Sequence, residues 1–98
     1  MVKVTLGGAT LATSDQTIQV EGNHYFPPSA LDSSLFTKSD TKTHCGWKGE
    51  ASYYNANIDG KTYADVAWYY PQTITDRAKP VENYVAFYKN KVNISEAD

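Results

Sequence analysis

The sequence predicts an all-β protein, built as two small packed antiparallel sheets with one or two short helical segments. Three observations carry this. Apolar and polar residues alternate at period two in several short stretches, turn-forming pairs separate those stretches, and helical spacing occurs in only one place. A chain of 98 residues has room for one core, so residues 1–94 are expected to form one domain and 95–98 a fraying tail.

Taken in order, Val2-Lys3-Val4-Thr5-Leu6 alternates, Gly7-Gly8 turns, and Thr10 to Thr13 returns as its partner. Thr17 to Glu21 alternates again before a reversal at Gly22-Asn23, and His24-Tyr25-Phe26 is a short extended piece. Pro27-Pro28 then ends any strand, because proline lacks the N–H that a ladder needs. From Ser29 to Phe36 the period changes: Leu31 and Leu35 lie four apart, as on one side of a helical turn. Thr37 to His44 shows no periodicity and reads as a connector. Near the end, Tyr84 to Tyr88 and Val92 to Ile94 read as strands around a Lys89-Asn90-Lys91 turn.

The central element is a long hairpin of two aromatic-rich segments, Trp47 to Ile58 and Lys61 to Tyr70, joined by Asp59-Gly60, a pair suited to a type I′ turn. A two-residue turn sets the register, with Ile58 opposite Lys61, Tyr53 opposite Val66 and Ala51 opposite Trp68. One face then carries Trp47, Gly49, Ala51, Tyr53, Val66, Trp68 and Tyr70, where small residues oppose large ones as a close-packed interior requires. The other carries Lys48, Glu50, Ser52, Tyr54, Tyr63, Asp65, Ala67 and Tyr69, a mixture better suited to a ligand than to a core. A bulge between Trp47 and Ile58 would exchange part of these sets.

Composition removes several function classes. Hydrophobic residues at 41% and charged residues at 20% are ordinary for a globular chain. No apolar stretch approaches the roughly 18–20 residues of a membrane span, and the N-terminus has no apolar leader, so the expected setting is cytoplasmic and free of membrane. Nine basic against eleven acidic residues give a charge of −2, which provides no grip on a phosphate backbone; nucleic acid is not an expected partner. One cysteine permits neither an internal disulfide nor a four-thiolate zinc site.

Four blocks in order and spacing resemble one family: Glu21 to Pro28, Cys45-Gly46-Trp47-Lys48-Gly49-Glu50-Ala51-Ser52-Tyr53-Tyr54, Ala67 to Pro71 and Tyr84 to Tyr88. The family is domain of unknown function 427, and the resemblance runs from Val4 to Val92. It implies a β-tent fold, in which two small antiparallel sheets lean together. It implies little about activity, since the family's nucleotidyltransferase label comes without biochemistry. Family members usually carry proline where this chain has Gly46, which loosens the entry to the strand.

Nucleotidyl transfer needs carboxylates placed to share Mg²⁺ and a phosphate cradle. The one acidic pair two apart is Glu96 with Asp98, and Gly7-Gly8 lacks the rest of a P-loop. Cys45 is a candidate nucleophile with His24 or His44 as base, set against the commoner role of a small buried hydrophobe. Lys48 can anchor an anionic group or bridge to Glu50 or Asp65. The leading reading is a non-catalytic small-molecule binding module without a cofactor or metal, taking a small anionic or planar ligand at Lys48, Tyr54, Tyr69, His24 and Glu50. The alternatives are a thiol- or lysine-dependent transferase or hydrolase, and an interaction protein that forms a homodimer through an exposed strand edge or the tyrosine face.

Overall fold

The structure is a computed structural model and describes residues 1–97. It is mainly β, as expected, with nine antiparallel strands among the described residues: β1 (Val2–Leu6), β2 (Ala9–Ser14), β3 (Ile18–Val20), β4 (Asn23–Tyr25), β5 (Phe36–Cys45), β6 (Gly49–Ile58), β7 (Lys61–Tyr69), β8 (Val85–Phe87) and β9 (Asn93–Glu96). They form three sheets, not two: β2-β1-β9, the ribbon β3-β4, and the four-stranded β5-β6-β7-β8. The ribbon stands apart because only a single bridge, Phe26 to Val85, ties its exit to β8.

Three two-residue turns set the hairpins. Gly7-Gly8, Glu21-Gly22 and Asp59-Gly60 each hold both central residues at positive φ, the conformation of a type I′ turn and the one whose twist matches its flanking strands. The middle reversal therefore falls one residue earlier than expected, with Glu21 rather than Asn23 in the turn.

Two segments depart from the sequence reading. The stretch expected as a helix is two single 3₁₀ turns, Pro28–Ala30 and Ser33–Leu35, the second capped by the Asp32 carboxylate. Proline at the start and two adjacent serines supply too little propensity to extend either one. The supposed connector from Thr37 to His44 is strand β5, paired with β6 along the sheet edge. As an edge strand it is largely exposed, so period-two burial is missing, and Lys38 and Lys42 protect the edge from pairing with another chain. At the C-terminus, Ser95 and Glu96 belong to β9 and pair with Lys3 and Val2. Asp98, expected in the tail and in the acidic pair with Glu96, lies outside the described residues.

The central hairpin begins in the expected register, Ile58 with Lys61 and Asn57 with Thr62, but Tyr53 then faces Trp68 instead of Val66, and Ser52 faces Tyr69. Three residues of β7, Ala64 to Val66, stand against the single Asn55 of β6. Three residues of β5, Ser39 to Thr41, likewise stand against Tyr53. Each bulge adds two residues, an even number, so alternation is restored beyond it and the faces are not exchanged. Asp65 joins the two bulges: its backbone sits at φ 51°, its N–H donates to Asn55 Oδ1 at 2.9 Å, and Oδ2 accepts from the Thr41 hydroxyl at 2.7 Å.

Around its centre the four-stranded sheet buries apolar residues on both faces, so the expected division into a core face and a wet face does not hold there. Ala56, Ile58, Ala67, Val85 and Phe87 pack toward Val2, Val4 and Leu11 of the first sheet. Ala51, Tyr53, Tyr70 and Ala86 pack on the opposite side with Tyr25 and Val81, joined by half-buried Ile18, Val20 and Trp68. Alanines make double burial feasible: Ala67 lies between Tyr54 and Phe87, and Ala86 lies beside Trp68.

Hydrogen bonding, first from Ser39 and then from Thr41, outweighs burial and holds the Asp65 carboxyl below the usual carboxylate range. A depressed native pKa contributes stability above the unfolded value near 3.9, and that stability is lost as pH falls through the native value. Asp65→Asn keeps the shape and tolerates the positive φ. It should lower stability at pH 7 by about 1 kcal/mol, the value of a partly exposed charged hydrogen bond, with the difference from wild type vanishing near pH 2 in urea titrations.

Candidate functional site

The five residues expected to share a pocket lie in three places. Tyr54 and Tyr69 are neighbours on the face of the four-stranded sheet that also carries Ala67. His24 is on β4, where Nδ1 pairs with the Thr17 hydroxyl at 2.7 Å and Nε2 meets Glu96 Oε1 at 3.3 Å. Glu50 is exposed on β6 opposite His44. Lys48 is only 4% exposed and lies with the aromatic residues of the other face.

Lys48 changes sides because the strand does not begin where the sequence suggested. Gly46 to Lys48 form a turn, and β6 starts at Gly49 with φ 115°. Only glycine suits that position: a Cβ there would stand 2.9 Å from the Gln72 carbonyl oxygen and 3.3 Å from Ile74 Cγ2. The segment after β7 closes over the turn, with the Ile74 N–H donating to the Lys48 carbonyl at 3.3 Å and the Thr75 hydroxyl to the Trp47 carbonyl at 2.8 Å. Trp47, expected in the core, is half-buried with the Lys48 ammonium 4.4 Å and the Arg77 guanidinium 4.5 Å from its ring.

A buried ammonium needs a counter-charge, and Glu21 supplies it by accepting a hydrogen bond from Lys48 Nζ. Glu21 reaches it from the type I′ turn of the β3-β4 ribbon, where it holds a positive φ that β-turn statistics reserve mainly for Gly, Asn and Asp. Burial opposes the Lys48 charge, yet the hydrogen bond to Glu21 and the charge of that carboxylate outweigh it and hold the pKa above the usual lysine value. Burial raises Tyr25 and Tyr70, keeping both phenols neutral.

Cys45 ends β5 beside this cation, with Sγ 3.6 Å from Lys48 Nζ. It is half-buried and packs against the aromatic cluster of this face, in keeping with part of the small-hydrophobe reading. Burial works against ionisation, but the backbone N–H groups of Trp47 and Lys48 and the Lys48 charge lower the thiol pKa. Neither histidine serves it: His24 is bound to Thr17 and Glu96, and His44 sits in register with Glu50.

On the opposite face, a cavity of about 630 Å³ opens between the four-stranded sheet and the 3₁₀ turns. Tyr54 and Tyr69 stack along it, with centroids 4.6 Å apart and planes at 19°, and Phe36, Leu31, Pro28 and Val85 complete an apolar lining. Lys38, Ser33 and Asn83 provide polar groups. Burial, then Tyr69, raises the Tyr54 pKa, so its phenol stays neutral. Sequence reasoning missed Phe36, Lys38 and Asn83 here and Glu21 and Tyr25 at the other site. Lys38 was legible only if β5 was read as a strand, because Phe36 and Lys38 then share a face.

Among the described residues no three His, Cys, Asp or Glu side chains gather to hold a metal ion, and no helix is long and apolar enough to cross a membrane. The chain belongs to the family described as Domain of unknown function (DUF427), whose model matches residues 1–98. No curated protein matches it.

The Gly49 contacts carry a prediction. Gly49→Ala forces both a strained φ and a collision with the Gln72 carbonyl, so it should cost about 2–3 kcal/mol and lower Tm by roughly 10 °C or more, measured by calorimetry. The same change at exposed Gly46, which has open space around it, should shift Tm far less.

Proposed function

We propose that this protein is a small-molecule binding module whose ligand seat is the cavity beside Tyr54 and Tyr69. The carrying observation is the stacked pair forming one wall of an apolar cavity of about 630 Å³, within the range of small-molecule sites. Aromatic walls favour a planar ligand, and Lys38, the cation of the lining, favours an acidic group on it. This places the anchor at Lys38 and not at Lys48, whose charge is already taken by Glu21. The support is the shape and chemistry of the lining. The reading keeps the cytoplasmic, nucleic-acid-free setting expected from the sequence.

A panel of aromatic carboxylates, including benzoate and indole-3-acetate, tests this against neutral indole. A bound acid at a hundred times its Kd should stabilise the protein by ~2.7 kcal/mol in a thermal shift. Amide signals of Phe36, Tyr54, Tyr69 and Val85 should move in NMR titrations, and Lys38→Met should weaken acids about tenfold while leaving indole unchanged. Saturable shifts confined to other residues, or a chain that dimerises through this face in light scattering, would replace the reading.

A further inference from the structure

The bulge in β5 decides which charge stands beside the aromatic cavity. Lys38 is paired with Tyr54, so an unbroken ladder would set Asp40 opposite Ser52. The two extra residues put Lys42 there instead, exchanging a carboxylate for an ammonium. Paired residues share a face, so Lys38 and Lys42 become neighbours on the side that holds Tyr54 and Tyr69, at the spacing of roughly 7 Å that separates Tyr54 from Ser52 along their strand. The Lys42 ammonium donates to the Ser52 hydroxyl at 3.1 Å. Ser52 is only 6% exposed, and its partner on the other side is Tyr69, a wall of the cavity. A hydroxyl can both accept and donate; this one accepts from Lys42, and among the described residues its own proton has no acceptor. Neither lysine forms an ion pair with Asp40, Glu50 or another described carboxylate. Glu50, next on this face beyond Ser52, is exposed and in register with His44.

We propose that the cavity takes a planar aromatic phosphomonoester, with its ring against Tyr54 and Tyr69 and its phosphate between Lys38 and Lys42. This rests on the binding reading above and narrows it from acids in general to a doubly charged group. A carboxylate carries one charge and, held by Lys38, leaves the second ammonium unused. A phosphomonoester carries close to two charges near neutral pH and three terminal oxygens, enough for both lysines and for the spare proton of Ser52. Lysine suits the task because its ammonium meets phosphate as a point charge and needs no fixed plane. The bulge thus has a use beyond bending the sheet: it aims a second cation at the ligand.

Calorimetric titration of the full chain with phenyl phosphate, benzoate and inorganic phosphate, at about pH 8 where the ester is doubly charged, tests this. Phenyl phosphate is expected to bind about tenfold more tightly than either of the others. Lys42→Met, a change at an exposed residue, should weaken phenyl phosphate about tenfold and leave benzoate nearly unchanged, whereas Lys38→Met should weaken both. In NMR titrations the amide signals of Lys42 and Ser52 should move with phenyl phosphate and stay in place with benzoate. If benzoate binds beside Tyr54 and Tyr69 and phenyl phosphate binds no more tightly, or if Lys42→Met keeps the preference for the phosphate, this inference is overturned and the binding module stands. Inorganic phosphate bound as tightly as phenyl phosphate would also overturn it, since the ring would then contribute nothing. If neither aromatic ligand moves the Tyr54 and Tyr69 signals, both readings fall together.

Discussion

Cross-strand contact between β6 and β7 sets Tyr53 beside Trp68 and Tyr54 beside Ala67, and the first sheet and the β3-β4 ribbon are laid against opposite sides of that pair. The first sheet covers the face of Ala56, Ala67 and Phe87, and the β3-β4 ribbon with Tyr25 covers the face of Ala51, Tyr70 and Ala86. A sheet dry on both sides tolerates little error in alternation, because a single-residue slip would exchange aromatic rings for alanines on both faces at once. The two bulges add even numbers of residues and so bend the sheet without that exchange. Asp65, bonded to β5 and to β6, holds them together.

Double burial also explains where polar chemistry can occur. A charge among the buried apolar residues of either face would lack solvation, so the two candidate cations lie at the sheet's margins. On one face the margin is the opening between β5 and the 3₁₀ turns, where Lys38 stands next to the Tyr54 and Tyr69 stack. On the other it is the turn at which β5 gives way to β6, where Cys45 and Lys48 meet the Glu21 carboxylate from a separate hairpin. The ribbon thus has a task beyond covering apolar surface: it carries the counter-charge that lets an ammonium be buried. Belonging to the DUF427 family places both margins in a chain type whose description assigns neither of them a role.

Much of the fold was legible in the residues because period-two alternation and two-residue turns are local signals. Asp59-Gly60 fixed the hairpin and its first pairs, and Val2 to Leu6 formed β1 as expected. Strand β5 escaped because an exposed edge has no face to hide and so no alternation to display. The register beyond Ala56 escaped because a bulge is set by contacts across strands, here those of Asp65, and leaves no mark in local composition. Lys48 was misplaced for a related reason: counting faces from Trp47 assumed a strand where Gly46 to Lys48 turn, and the position of Gly49 against Gln72 is a tertiary fact. Its partner Glu21 lies 27 residues earlier, beyond any spacing rule. Tyr54 and Tyr69 were recognised as site residues, but their company, Phe36 and Lys38, came from the strand that was read as a connector.

Residue-resolved hydrogen exchange tests the central claim directly, since it reports the free energy needed to open each amide. If β6 and β7 are covered on both faces, the amides of Tyr53, Tyr54, Ala67 and Trp68 that bond within the sheet should exchange only through global unfolding. Their protection should equal the stability measured by denaturant and exceed that of edge strand β5. Exchange at those four residues through smaller local openings, at free energies like those of β5, would contradict a sheet dry on both sides.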